Sequence, residues 1–239
     1  LGAPSNYIGP TKLFGLNNNN TGLPLIRLID DHAGNNGQGG WMPAGHKNGH
    51  IPLYADQDKI PHSLEEAIGT FLLTCAIRYL RGQQNSHSSM LVHVTRFTSV
   101  QNIVARQVEE YIRLIRQRIT RRIGHENILA RLKNMYGNDF ISTTEKINIL
   151  AADDVPKVNP TWDAILNVLP DVLTDLQVRI VNGTAKDVLD YSEHKSVGLK
   201  VIAIGGDKLA RGLTLEGLCV SYFLRASKMY DTLMKIGRW

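Results

Sequence analysis

The stretch Leu199-Lys200-Val201-Ile202-Ala203-Ile204-Gly205-Gly206-Asp207-Lys208-Leu209-Ala210-Arg211-Gly212-Leu213-Thr214-Leu215-Glu216-Gly217 decides the architecture. Its first six residues are an apolar run of buried-strand type, and two glycines close it. Similar short runs stand on either side: Ser88 to Val94, Leu176 to Val181 closed by Asn182-Gly183, and Leu218 to Phe223. Helical patterns separate them. Short apolar strands alternating with helices imply βαβ units and a mostly parallel sheet flanked by helices, the α/β class. In open sheets of that class, ligands bind beyond the carboxyl ends of the strands, which is where residues 205–212 fall. Gly205 and Gly206 let backbone approach a ligand closely. Asp207 can accept from a sugar hydroxyl or pair with a cation, and Arg211 offers a planar fork suited to phosphate. Spacing alone is equally met by a plain strand-to-helix turn.

Outward from that stretch, the helices carry end signals. Pro61-His62-Ser63 opens one, with Ser63 as the N-cap and Glu66 three residues later, and it runs to Gly82. Over 98–123, Val104, Val108, Tyr111, Ile112, Ile115, Ile119 and Ile123 recur at three and four and form one stripe. Arg106, Arg113 and Arg121 fall on the opposite face. Further helices are expected over 126–136, 143–151, Pro160 to Leu173, Ala185 to Tyr191 and Lys228 to Gly237. Residues 1–60 read as an irregular leader with a strand or turn at Leu23–Ile29, then a glycine-dense mobile loop from Gly34 to Gly49. The resulting division is 1–60 leader and loop, 61–106 with 171–239 the α/β domain, and 107–170 a helical insertion.

The net charge is +5, and residues 106–133 account for it, with eight Arg or Lys against three Glu. A basic face so localised fits a polyanion such as DNA, bound by charge and not by sequence. An ordinary solvated helix face has the same composition. Cys75 and Cys219 stand far apart in apolar runs and read as buried thiols, so a reducing cytoplasm is expected. No apolar run is long enough for a membrane helix. The chain opens on Leu1 and not Met, and is expected to be part of a longer protein.

The companions of the glycine stretch, in order, are Thr95-Arg96-Phe97 after the first strand, the Asn182-Gly183 strand end, Gly206-Asp207 to Arg211-Gly212, and Tyr230-Asp231-Thr232-Leu233-Met234-Lys235-Ile236-Gly237-Arg238. This series resembles the second RecA-like domain of superfamily 2 helicases. The fuller wording is similar to the Z-one domain family of candidate endonucleases, which accompany bacterial restriction and defence systems. Pro24 to Asp31, the 63–81 helix and the 90–99 corner belong to the same resemblance. It implies a P-loop NTPase type of fold, with Gly205, Gly206, Asp207, Arg211 and Gly237 at the nucleotide and Arg238 reaching the ATP phosphates as the catalytic cation. It also implies that Thr95, Arg96 and Gly212, joined by the basic residues Arg106, Arg113 and Arg121, face nucleic acid.

The resemblance has a gap. No Gly-x-x-x-x-Gly-Lys-Ser/Thr occurs, so the cradle for ATP and Mg2+ is expected on an upstream RecA-like domain of the same protein. This chain would then be the carboxyl half of a helicase-like, ATP-dependent DNA-acting protein, inactive alone. Nuclease or ATPase subunits are further partners the resemblance allows. A non-catalytic nucleic-acid-binding or docking module with a degenerate RecA-like fold is the alternative. Pro170-Asp171 with Glu193-His194-Lys195 matches the letters of a metal-dependent nuclease pattern. That chemistry needs both carboxylates on adjacent strands, which a helical Asp171 does not provide. His32, His46 and His50 read as loop residues and not as a metal site, and His93 as a satisfied strand residue.

Overall fold

A computed structural model of the chain describes residues 22–34, 39–150, 157–181, 189, 191, 194, 196–206 and 215–224. Asp207, Arg211, Gly212, Gly237, Arg238, Glu193 and the 228–237 helix lie outside the described residues. The elements are α1 (His62–Arg78), β1 (Ser88–His93), α2 (Thr98–Arg121), α3 (Glu126–Met135), α4 (Ser142–Leu150), α5 (Trp162–Asp175), β2 (Leu176–Val181), β3 (Lys200–Gly205) and β4 (Leu218–Phe223). Wide helical turns at Tyr79–Gln83 and Tyr136–Ile141 follow α1 and α3. Each described strand and helix falls within about two residues of its expected span, except that the first helix closes earlier, at Arg78.

Among the described residues the sheet has four strands, all parallel, in the order β2-β3-β1-β4. Alternation along β1 and β3 divides two apolar layers. Met90, Val92, Ile202 and Ile204 point into the larger one, where α1, α2 and α5 bring Phe71, Leu72, Val104, Val108, Ile112, Ile165 and Leu169. Leu91, Val201 and Ala203 point the other way, onto Leu189, Tyr191 and Leu215. Both faces are therefore covered, which is why these strands read as unbroken apolar runs. Residues between β1 and β2 share one core with the sheet, since Ile128, Leu132 and Tyr136 belong to the larger layer.

Three local features differ from the sequence reading. Residues 25–30 form no strand, and Ile26 and Leu28 stay exposed. Pro61, not Ser63, is the N-cap of α1, without a side-chain bond. Ser63 instead donates its backbone N–H (2.9 Å) and its hydroxyl to the Asp31 carboxylate, so a remote acid occupies the positive end of the helix. Thirdly, the described part of the glycine-dense segment, from residue 39 on, is tied down. Trp41 is fully buried, edge-on to Tyr222, and its indole N–H donates to Gln107 Oε1 at 2.7 Å. No described helix is long and apolar enough to cross a membrane.

Candidate functional site

The connections place a crevice between two strands. From β1 the chain crosses leftward over β3 to reach β2, through helices on the larger layer. From β2 to β3 and from β3 to β4 it moves rightward, and Leu189, Tyr191 and Leu215 from those connections pack on the opposite layer. Right-handed crossovers require that arrangement. The carboxyl ends of β1 and β3 thus diverge to opposite faces, which makes their junction the topological switch point where ligands bind in open α/β sheets.

Gly205 ends β3 and Gly206 follows it, both buried. Across from them lies the corner after β1. A methyl on Gly206 would sit 2.7 Å from Gln101 Nε2, 3.2 Å from the Thr95 carbonyl oxygen and 3.3 Å from Arg96 Cα. Close approach is what demands glycine there, as its φ is not in the left-handed range. Gln101, 2% exposed, donates through Nε2 to the Thr95 carbonyl at 3.0 Å. Thr95 is buried, and its Oγ1 accepts the Phe97 N–H at 3.2 Å. Arg96 is exposed, its guanidinium 4.9 Å from the Phe97 ring centroid. The first turn of α2 has no acidic residue and no side-chain cap.

A third wall comes from the segment before α1. His46 bonds Thr95 Oγ1 through Nε2 at 2.7 Å and the Pro43 carbonyl through Nδ1 at 3.0 Å. In the tautomer whose Nδ1–H donates to that carbonyl, Nε2 accepts the hydrogen bond from the Thr95 hydroxyl. Ser99 donates to Asn48 Oδ1 and accepts the Gly49 N–H. Behind this tip, Gln107 donates to the Pro52 carbonyl (2.8 Å) and to Asp58 (2.7 Å) while accepting from Trp41. Asp58 also takes a two-pronged bond from Arg106 at 2.7 and 2.8 Å. The Gln107 amide and then Arg106 hold the Asp58 carboxyl below its ordinary range, and Asp58 in turn raises the Arg106 guanidinium.

The structure brings together Thr95, Arg96, Gly205 and Gly206 from the expected site. It separates the basic residues from them. Arg106 is engaged by Asp58 and Glu110. Arg113 and Arg121 are exposed without an ion pair among the described residues, but α2 runs away from the crevice. They lie about 22 Å and about 35 Å along its axis from Thr98. Arg116, in the same charged run, bonds the carbonyls of Leu173 and Leu176 at the end of α5. Asp171 sits within helix α5, as the nuclease pattern forbids. Cys75 is buried as expected, which pushes its thiol up to about 12, whereas Cys219, expected buried, is half-buried in the less covered strand β4, and that partial burial still raises its thiol. No cluster of three metal-ligating side chains occurs among the described residues.

A cleft of about 490 Å³ lies at the other edge of the sheet, lined by Tyr79, Gln84, Asn85, Asp175, His194 and Lys200 among others. Its buried cation, Lys200, is already paired with Asp175 at 3.2 Å. The amino edge is also the wrong end of a parallel sheet for ligand binding, so we favour the β1/β3 crevice.

Among known proteins, the family model described as Z1 domain matches residues 63–239. Neither the curated proteins nor the solved structures contain a match. The match takes in the β1 corner, α2 and the glycine stretch, and it begins after the loop that carries His46.

Proposed function

We propose, from the premise that this chain belongs to the Z1 domain family, that it is the second RecA-like lobe of a helicase-like, ATP-dependent protein acting on DNA. The Z1 domain is one found in proteins assigned as endonucleases. The observation that carries the reading is the switch point between β1 and β3, with Gly206 packed against Thr95 and Gln101. The glycine stretch leads from there into Asp207 and Arg211-Gly212, the residues a RecA-like second lobe presents to its interdomain cleft. Thr95 and Arg96 flank the same corner and would meet the DNA strand.

ATP and Mg2+ would be held mainly by a first RecA-like lobe, because this sequence has no Gly-x-x-x-x-Gly-Lys-Ser/Thr loop. The contribution of this chain is electrostatic. Arg238 and Arg211 would supply positive charge to the phosphoryl group as it transfers, when the lobes close. An arginine in that role changes turnover by about 10³-fold or more. The test is ATP hydrolysis by the full-length protein with and without DNA. DNA should stimulate turnover, and Arg238→Ala should abolish it while leaving DNA binding intact. A docking module is the reading to adopt if the intact protein binds DNA, hydrolyses no ATP, and is indifferent to Arg238→Ala.

A further inference from the structure

The segment 43–50 lies outside the family match, yet it is built onto the corner that the function needs. Three side-chain bonds fix its tip: His46 to Thr95, Ser99 to Asn48, and Gly49 N–H to Ser99. Its base is clasped by buried Trp41 and Gln107, and by the His50 Nε2 contact to the Trp41 carbonyl at 3.0 Å. Planar groups then run in series across the junction. Arg96 lies over Phe97, His46 meets Phe97 edge-on with centroids 5.8 Å apart, and His50 is 5.6 Å from His46. Lys47, between the two histidines in sequence, is exposed with no acidic partner among the described residues, and so is Arg96.

One cation over a ring, a second next in sequence to His46, and a run of neighbouring planar groups suit a single-stranded nucleic acid. The cations meet backbone phosphates and the rings offer faces to unstacked bases. A duplex hides those bases, so it would meet the cations alone. The acids nearest in the bonding network, Asp58 and Glu110, are occupied by Arg106 and do not neutralise the tip.

We propose that the 43–50 loop is part of the nucleic-acid surface of this protein, contacting single-stranded DNA through Lys47, which follows the His46 bonded to Thr95, together with Arg96, so that the strand-binding unit begins before the Z1 domain match. This rests on the reading of the β1 corner as strand-facing. Its test keeps the two separable. Fluorescence anisotropy of a labelled oligo-dT 20-mer, and of the corresponding duplex, is followed with the 239-residue chain between 50 and 200 mM salt. Wild type should bind the single strand more tightly than the duplex. Lys47→Ala should weaken single-strand binding about fivefold at 0.1 M salt and lower the salt slope by about 0.7, the release of one phosphate's counterion. Arg96→Ala should do the same. Loss with Arg96→Ala but none with Lys47→Ala overturns the loop's role and leaves the corner standing. Equal single-strand and duplex affinity overturns the single-strand preference, and no binding by the wild type overturns both readings.

Discussion

Adding one methyl at Gly206 probes whether the β1 and β3 ends meet as described. In Gly206→Ala the new Cβ falls 2.7 Å from Gln101 Nε2, too close for any real contact, so the amide must leave its place. It cannot leave cheaply. Gln101 is 2% exposed, and its bond to the Thr95 carbonyl would be broken without water to replace it. A lost buried hydrogen bond costs about 1–3 kcal/mol, and overpacking against the Thr95 oxygen and Arg96 Cα adds about 1 kcal/mol. The substitution should destabilise by about 2–4 kcal/mol, read as a lower urea midpoint at unchanged slope. The control is the same change in a Gln101→Ala background, where the nearest obstacle is gone. There Gly206→Ala should cost only about 1 kcal/mol, a coupling of about 1–3 kcal/mol. Additive effects, equal within about 0.5 kcal/mol in the two backgrounds, would refute the close approach.

Trp41→Phe should destabilise the chain by about 1–3 kcal/mol in the same assay, because Gln107 Oε1 loses its donor in a buried setting. Thr161 caps α5 by accepting the Ala164 N–H, so Thr161→Ala should lower the melting temperature by an amount equivalent to about 1 kcal/mol, and Thr161→Asp should not. The Asp58 carboxyl titrates below the ordinary range in the folded state, chiefly through Gln107 and Arg106. Its stabilisation is present above the unfolded carboxylate pKa and is lost as pH falls through the lower folded value. Asp58→Asn should therefore flatten the acid limb of a stability–pH curve below about pH 4 and leave its shape near neutrality unchanged. With its thiol pushed up to about 12, Cys75 should resist iodoacetamide at pH 8 in folded protein and react once urea is added. Rapid labelling of Cys75 in the folded chain, told apart from the half-buried Cys219 by peptide mapping, would contradict its burial.

The two central strands were legible because both of their faces are covered. Lys200–Gly205 and Ser88–His93 show no polar alternation, and a short apolar run ending in glycine has few other readings. The stripe of α2 was equally plain, with Val104, Val108, Ile112, Ile115 and Ile119 all buried. Two of its outer members differ: Tyr111 is half-buried and Ile123, beyond the helix end, is exposed. The N-terminal segment was not legible, since it folds by reaching distant residues and not by its own periodicity. Asp31 finds Ser63, Trp41 finds Gln107 and His46 finds Thr95. One signal was available. A tryptophan at Gly39-Gly40-Trp41-Met42 is too apolar for a free loop, and its indole N–H needs a buried acceptor. The charge count on α2 was legible as a sum but not as a surface. Arg106, Arg116 and Arg131 are drawn into bonds with Asp58, α5 and Glu65, which composition cannot reveal.

Hydrogen exchange on the full-length protein, with and without a non-hydrolysable ATP analogue, tests the assigned crevice most directly. The analogue should slow exchange in residues 94–101 and 204–206, at the carboxyl ends of β1 and β3, and leave residues 84–88 and 196–200 at the opposite edge unchanged. Protection confined to that opposite edge, or none in this chain at nucleotide concentrations that saturate the protein, would contradict it.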